Sequence, residues 1–315
     1  MSHQDAEDAW RRRGLIWAPA GDLDWSRSHA QIPTVTPERA GLRRIYLGTR
    51  DSTQRTTTTW IDVDAADPGR VLAVAEEPAL GLGALGTFDD SGAMPSWVID
   101  VGDERRLYYI GWNIGSTVPY RNAIGLAIET GNGTFERVGE GPILDRGLHA
   151  PHFCTTPCVL VDGGEFRMWY SSCQRWRMID GRPEAIYDIR HARSSDGVLW
   201  DRDEDLCIRA SEDEVFTRPS VVRDGRSYRM WFCRRSLCGY RQRRGAGFRI
   251  ECATSDDGLE WRRCQELDLP PGVDGWALQQ TAYPWVERAD GSWRRFYNGD
   301  GFGRDGFGWA ETAAS

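Results

Sequence analysis

The sequence predicts an all-β chain: a five-bladed β-propeller of four-stranded antiparallel blades, its ring closed by an N-terminal strand. Three observations carry that expectation. A proline-led apolar run recurs five times at near-constant spacing, each proline is followed by further β-rich runs, and 35 Gly and 15 Trp in 315 residues suit tight turns and aromatic packing. Residues 1–13 read as an extension and 14–315 as a single domain, a length that one large β domain can fill.

The repeat is anchored by Pro33, Pro95, Pro157, Pro219 and Pro284, the first three intervals identical and the last slightly longer. The runs are Ile32-Pro33-Thr34-Val35, Met94-Pro95-Ser96-Trp97-Val98, Thr156-Pro157-Cys158-Val159, Arg218-Pro219-Ser220-Val221 and Tyr283-Pro284-Trp285-Val286. A fixed period of this length marks repeat architectures. Second strands follow in which Tyr46, Tyr170, Phe232 and Tyr297 stand at one common offset past their proline, and Tyr109 stands a single position further. Asp162-Gly163-Gly164, Asp224-Gly225 and Asp290-Gly291 supply hairpin turns between first and second strands. Third strands are expected at 57–62, 123–128, 188–193, 248–254 and 306–311. Two end in near-identical hairpins, Ser195-Asp196-Gly197-Val198-Leu199-Trp200 and Asp256-Asp257-Gly258-Leu259-Glu260-Trp261. Fourth strands are expected at 71–75, 135–138, 200–208 and 261–267. The last repeat runs out of chain first, so Leu15-Ile16-Trp17 is expected to complete it and cover an open edge. One short helical turn is expected at 6–13.

All 39 basic residues are arginine. Without lysine there is no Schiff-base amine, no pyridoxal-phosphate anchor and no Walker-type phosphate loop. A formal net charge of −8 argues against nucleic acid as a partner. No apolar run of about 18 residues exists, so no membrane span is expected. The polar, charged start lacks the apolar core of a signal peptide and gives a cytosolic reading. Eight cysteines are then expected to be mostly reduced, as small buried thiols in strands. No cofactor is expected.

In a propeller the first strand of each blade lines the central channel, so equivalent positions converge. Five residues before the prolines stand Ser28, Asp90, His152, Glu214 and Gln279; one step later come His29, Ser91, Phe153, Val215 and Gln280. Two carboxylates facing across a pocket can break a glycosidic bond, one protonating the leaving oxygen and the other activating water or attacking. Asp90 and Glu214 are the candidate pair, with Asp89 beside them and His152 as a third catalytic candidate. His29 and Gln280 are candidates for positioning a sugar. Arg218, directly before Pro219, would hold a carboxylate or phosphate or pair with Glu214.

Arg121 and the basic stretch 234–244 (Arg234, Arg235, Arg241, Arg243, Arg244) lie in loops expected to overhang the channel. Trp112, Trp176 and Tyr240 are placed to stack on sugar rings. Each has a plainer reading: Asp90 as a turn cap, Glu214 as part of a solvated acid run, the histidines as structural, the basic stretch as a solvated hairpin. His149-x-x-His152-x-Cys154-x-x-x-Cys158 lacks the second cysteine pair of a zinc ribbon, so no metal site is expected.

The five-repeat layout, the Ser-Asp-Gly-x-x-Trp-like hairpins and the axial acids resemble the five-bladed propeller glycosidases, glycoside hydrolase families 43, 32 and 130. The runs Ser28-His29-Ala30-Gln31, Gly86-Thr87-Phe88-Asp89-Asp90-Ser91-Gly92, Tyr108-Tyr109-Ile110-Gly111-Trp112-Asn113 and Val118-Pro119-Tyr120-Arg121-Asn122 are similar to glycosidase-like proteins of bacterial polysaccharide clusters, over about residues 15–310. The resemblance implies sugar chemistry in polysaccharide or glycosylated natural-product metabolism. Those hydrolases place a catalytic Asp in the first blade, where this chain has Ser28 and His29. Shifted by one blade, the pattern gives Asp90 the base or nucleophile role, Glu214 the acid role and His152 the place of the pKa-tuning aspartate.

The leading expectation is therefore an enzyme that cleaves or transfers a glycosidic bond, acting on a small sugar or glycoside that the arginine loops favour as anionic or phosphorylated. The alternatives are a non-catalytic carbohydrate-binding propeller and a propeller lyase or isomerase with His152 as base.

Overall fold

The strand β1 (Arg11–Trp17) is followed along the chain by up-and-down antiparallel units. The first comprises β2 (Ser28–Val35), β3 (Leu42–Arg50), β4 (Thr56–Asp64) and β5 (Val71–Val74). The next holds β6 (Gly92–Val101), β7 (Glu104–Ile114), β8 (Tyr120–Gly131) and β9 (Thr134–Arg137), and one parallel pairing, Thr56 with Gly92, joins these two into one sheet. Separate sheets follow: β10 (Cys154–Asp162), β11 (Glu165–Ile179), β12 (Arg182–Ser194) and β13 (Asp201–Ile208), then β14 (Glu214–Asp224), β15 (Ser227–Ser236), β16 (Arg249–Ser255) and β17 (Arg262–Arg263). In the last sheet β18 (Ala282–Ala289), β19 (Ser292–Asn298) and β20 (Phe307–Glu311) are completed by β1 on the outer edge of β20.

This computed structural model describes residues 10–131, 133–148, 150–240, 246–264, 269, 275–289 and 291–313. His149, Arg241, Arg243, Arg244 and Asp290 lie outside them, as do residues 1–9 and 265–268. Among the described residues the regular structure is almost all strand, the exception being a short helical turn at Asp300–Gly303, and no helix is long and apolar enough to cross a membrane. β1 begins at Arg11, so 11–13 belong to a strand rather than to an extension or a helical turn.

The repeat has a packing cause. The second-strand aromatics Tyr46, Tyr109, Tyr170, Phe232 and Tyr297 each expose 1% of their surface or less; burying one such ring is worth roughly 1.5–3 kcal/mol. The residue after the proline ties one first strand to the next. Thr34 Oγ1 donates to the Ser96 carbonyl at 3.1 Å and Ser96 Oγ to the Pro157 carbonyl at 2.8 Å. Cys158 Sγ accepts from Val221 N at 3.2 Å, and Ser220 Oγ from Val286 N at 3.0 Å. At the fifth such position Trp285 packs instead against Trp97, ring centroids 6.0 Å apart. The last unit meets the first where Asn298 accepts from Ile32 N at 2.8 Å and donates to the Ala30 carbonyl at 2.6 Å.

The two near-identical hairpins act as latches between units. Asp196 Oδ1 accepts from Val198 N and Leu199 N at 2.8 and 2.9 Å, and Asp257 Oδ1 accepts from Leu259 N and Glu260 N at 2.8 and 3.0 Å. Each turn then offers its glycine carbonyl to an aromatic of the preceding unit, Gly197 to Tyr108 OH at 3.0 Å and Gly258 to Trp169 Nε1 at 2.7 Å. Gly197 has φ +76, and a Cβ there would come within 2.6 Å of the Tyr108 hydroxyl, so the docking excludes a side chain.

Six of the eight cysteines are free thiols and five of those are buried. The exception to the expected reduced state is a Cys252–Cys264 disulfide, Cα atoms 5.4 Å apart. It follows from the β16–β17 register, in which Ala253 faces Arg263.

Candidate functional site: a cavity of aromatic, amide and hydroxyl side chains

The first strands neighbour one another in succession, β2 with β6, β6 with β10, β10 with β14, β14 with β18, and β18 with β2. Near their starts each carries a register shift at or beside its proline. In four of them the residue before the proline adopts a left-handed conformation: Ile32 (φ 55), Thr156 (φ 48), Arg218 (φ 55) and Tyr283 (φ 54). For β-branched and bulky residues this is a costly backbone state, of order 1–3 kcal/mol each. It accompanies bulges, which bend the strand and re-aim a side chain.

A cavity of about 390 Å³ opens at this level. Ile32, Met94, Thr156 and Tyr283, each directly before a proline, line it together with Gln31, Thr155 and Thr217, each two residues before. The ends of the second strands contribute Arg50, Trp112 and Arg235, and the third strands contribute Tyr120, Asn122 and Tyr187. Trp112 is set in place by packing over Gly92, where a Cβ would collide with the indole. Among the described residues no aspartate or glutamate lines the cavity.

The expected carboxylates are engaged elsewhere. Asp89 is 1% exposed and accepts from Arg137 Nε at 2.7 Å, Tyr109 OH at 3.0 Å and Thr87 Oγ1 at 2.9 Å. Asp90 accepts from Gly86 N at 3.1 Å and Ser91 Oγ at 2.9 Å, the bonds of a turn cap. Glu214 accepts from Arg234 Nε at 2.7 Å, Ser211 Oγ at 3.0 Å and Arg263 Nη1 at 3.2 Å. Burial raises its pKa, but the hydrogen bonds from Arg234 and Ser211 and the charges of Arg263 and Arg234 outweigh it, and the net shift is downward. That is the wrong direction for a general acid.

The structure does not gather the other expected residues at one point. Arg218 is fully buried, 3.5 Å from Ser96 Oγ with its guanidinium over Trp97. Burial pulls its pKa down to about 10, and it does not pair with Glu214. Gln280 is buried against the Gly299 carbonyl, 3.3 Å away. His152 and Arg121 line a separate depression of about 250 Å³ with Arg146 and Trp176. His29 is buried with Nδ1 2.8 Å from Ser28 Oγ. Burial, then the charges of Arg50 and Arg304, lower its pKa to about 4, so it is neutral at pH 7. Of the expected site residues Trp112, Tyr240 and Arg235 line the central cavity. Among the described residues no group of three or more His, Cys, Asp or Glu is placed to hold a metal ion.

The cavity residues Gln31, Thr155 and Thr217 carried a signal that counting five back passes over. Two residues before three of the five prolines the sequence has a Gln or a Thr, side chains that pair with hydroxyls.

No family model matches the chain. Solved structures share its fold. A glycoside hydrolase superposes with TM-score 0.73 at 16% identity, covering 99% of this chain and 93% of that one. A thermostable family-43 glycoside hydrolase gives 0.63 at 14%, covering 93% and 90%. A structure from the family-130 mannoside phosphorylases, a family containing hydrolases that target β-1,2 mannosidic linkages, gives 0.72 at 11%, covering 98% and 94%. In sequence, the uncharacterized proteins Rv1502 and MT1551 of two Mycobacterium tuberculosis strains are each 41% identical over 307 residues, spanning 96% of this chain and 98% of theirs. With identity of that extent along nearly the whole length, the chain belongs to the same family as these mycobacterial proteins.

Proposed function

We propose that the up-and-down units are the blades of a closed five-bladed propeller and that its central cavity binds a sugar or glycoside. Support for the ring comes from the succession of first-strand contacts that returns from β18 to β2 and from β1 completing the last sheet. One observation carries the ligand class: a cavity of about 390 Å³ whose wall interleaves aromatic faces (Trp112, Tyr187, Tyr283) with amides and hydroxyls (Gln31, Asn122, Thr155). Its size falls in the roughly 300–1,000 Å³ range of small-molecule sites. Aromatic faces pack on the C–H faces of a sugar ring while amides and hydroxyls exchange hydrogen bonds with its hydroxyls. The glycoside hydrolase-like fold of the neighbours is consistent with this ligand class, although fold alone does not determine function.

Binding is the chemistry the cavity wall itself supplies. A second reading keeps glycosidic-bond cleavage or transfer, with Asp90 in the base or nucleophile role. Asp90 is the one expected carboxylate held only by neutral donors, and its neighbour Ser91 donates its N–H to the carbonyl of Trp112 at 3.2 Å.

Titrating the chain with a panel of mono- and disaccharides tests the first reading. Trp112→Ala is expected to weaken the bound sugar about tenfold, the scale of one aromatic contact, whereas Glu214→Gln leaves affinity unchanged. An unaltered affinity in Trp112→Ala, or binding by no sugar, contradicts it. Aryl glycosides, with and without phosphate, test the second. Product formation that disappears in Asp90→Asn while binding persists supports cleavage, and its absence in the parent chain removes that reading.

A further inference from the structure

We propose that the ligand of the central cavity carries a phosphate or carboxylate group and that Arg50 is the residue that holds it; this rests on reading the cavity as a sugar site. Among the described residues two arginines line the cavity and they are held differently. Arg235 donates to the carbonyls of Ser236 and Ala185, both at 3.1 Å, lies 3.9 Å from the Glu184 carboxylate and stacks on Tyr240 at 3.9 Å. Its charge is matched and its donors are directed into the protein. Arg50, at the end of β3, donates from Nε to Gln31 Oε1 at 2.9 Å and from Nη1 to Gln54 Oε1 at 3.2 Å. Both acceptors are neutral. Among the described residues no carboxylate pairs with Arg50, and none lines the cavity.

A half-buried guanidinium facing only amides has given up water without gaining a counter-charge. Its neighbours register the imbalance. Burial lowers the pKa of Arg50 itself, and the Arg50 charge helps to keep buried His29 neutral. The two glutamines fix the guanidinium plane while leaving Nη2 without a partner among the described residues, a preorganised donor for an anionic oxygen. An anion seated there would pair the unmatched charge, and the aromatic and amide walls beside it would take the rest of the sugar.

The experiment is calorimetric titration of the full chain at low ionic strength with hexose 1-phosphates, hexose 6-phosphates, hexuronates, the matching neutral hexoses and inorganic phosphate. At least one charged sugar is expected to bind roughly tenfold or more tighter than its neutral counterpart, the scale of a charge-assisted hydrogen bond. That preference is expected to fade as salt rises, to vanish in Arg50→Gln and to return in part in Arg50→Lys. Thermal unfolding of both variants verifies the fold. Which series binds, phosphorylated or uronic, identifies the anionic group. Equal affinity for charged and neutral hexoses, or a preference that survives Arg50→Gln, overturns the assignment of Arg50 while leaving the sugar site standing. Inorganic phosphate binding as tightly as any sugar phosphate removes the sugar and leaves an anion site at Arg50. Binding of nothing in the panel overturns both.

Discussion

At Glu214 a carboxylate meets two arginines and a serine hydroxyl; at Arg50 an arginine meets two amides and no carboxylate among the described residues. Both sites place a charged group near the start of the first strands or beside it, and their electrostatics are opposite. A charge that folding has already paired contributes to the architecture and has little left to offer a ligand. A charge left unmatched in a cavity of ligand size is available for binding. Asp89, closed in by Arg137, Tyr109 and Thr87, belongs with Glu214. These acids are spent on holding sheets together, and the cavity is left to arginine, amides, hydroxyls and rings.

The largest effect that would sharpen this contrast is expected at Asp89→Asn. Removing one partner of a buried ion pair strands the other, so unfolding free energy should fall by about 3 kcal/mol or more, read from denaturant midpoints, with ligand affinity unaltered in the folded fraction. Glu214→Gln should cost less, about 1–2 kcal/mol, because Arg234 and Arg263 both retain Glu251 nearby. Loss of affinity without loss of stability in Glu214→Gln would break the contrast.

A smaller effect concerns His29. Its folded pKa, about 4, lies below the ordinary 6.5, so the unfolded chain takes up the proton first as pH falls. Stability is therefore expected to decline between about pH 6.5 and pH 4, and His29→Asn, a residue that tolerates the local φ of 69, should flatten that slope. An unchanged slope would mean that His29 is charged in the fold. The smallest effect is expected at Arg50→Gln, whose stability should change by less than about 1 kcal/mol because no counter-charge is stranded; a large loss would place Arg50 among the structural charges.

Most of the architecture was legible in the primary structure because its causes are local and repeated. The prolines mark the bulged first strands, the aromatics at a near-fixed offset beyond them fill equivalent core positions, and the Ser-Asp-Gly turns encode latches in their own hydrogen bonds. The site was less legible, for two physical reasons. Positions five before each proline fall at the first residue of a strand or ahead of it, as with Asp90 before β6 and Glu214 opening β14, so they are capped or paired at its margin. The bulge then shifts the inward-facing level to the residues one and two before the proline. The second reason is pairing. Nothing local distinguishes Arg50 from Arg234. Whether such a side chain meets a carboxylate on the adjoining strand, as Arg234 of β15 meets Glu214 of β14, is decided only when the sheets assemble. The Cys252–Cys264 disulfide escaped for the same reason, since it depends on the β16–β17 register.

The most direct measurement is a crystal structure of the chain with a sugar from the binding panel. Density is expected against Trp112 and Asn122, neighbours on the β7–β8 wall of the cavity, with an oxygen in hydrogen-bond reach of Arg50. Density beside Glu214, or in the depression holding His152 and Trp176, would contradict a ligand site in the cavity lined by Trp112 and Arg50.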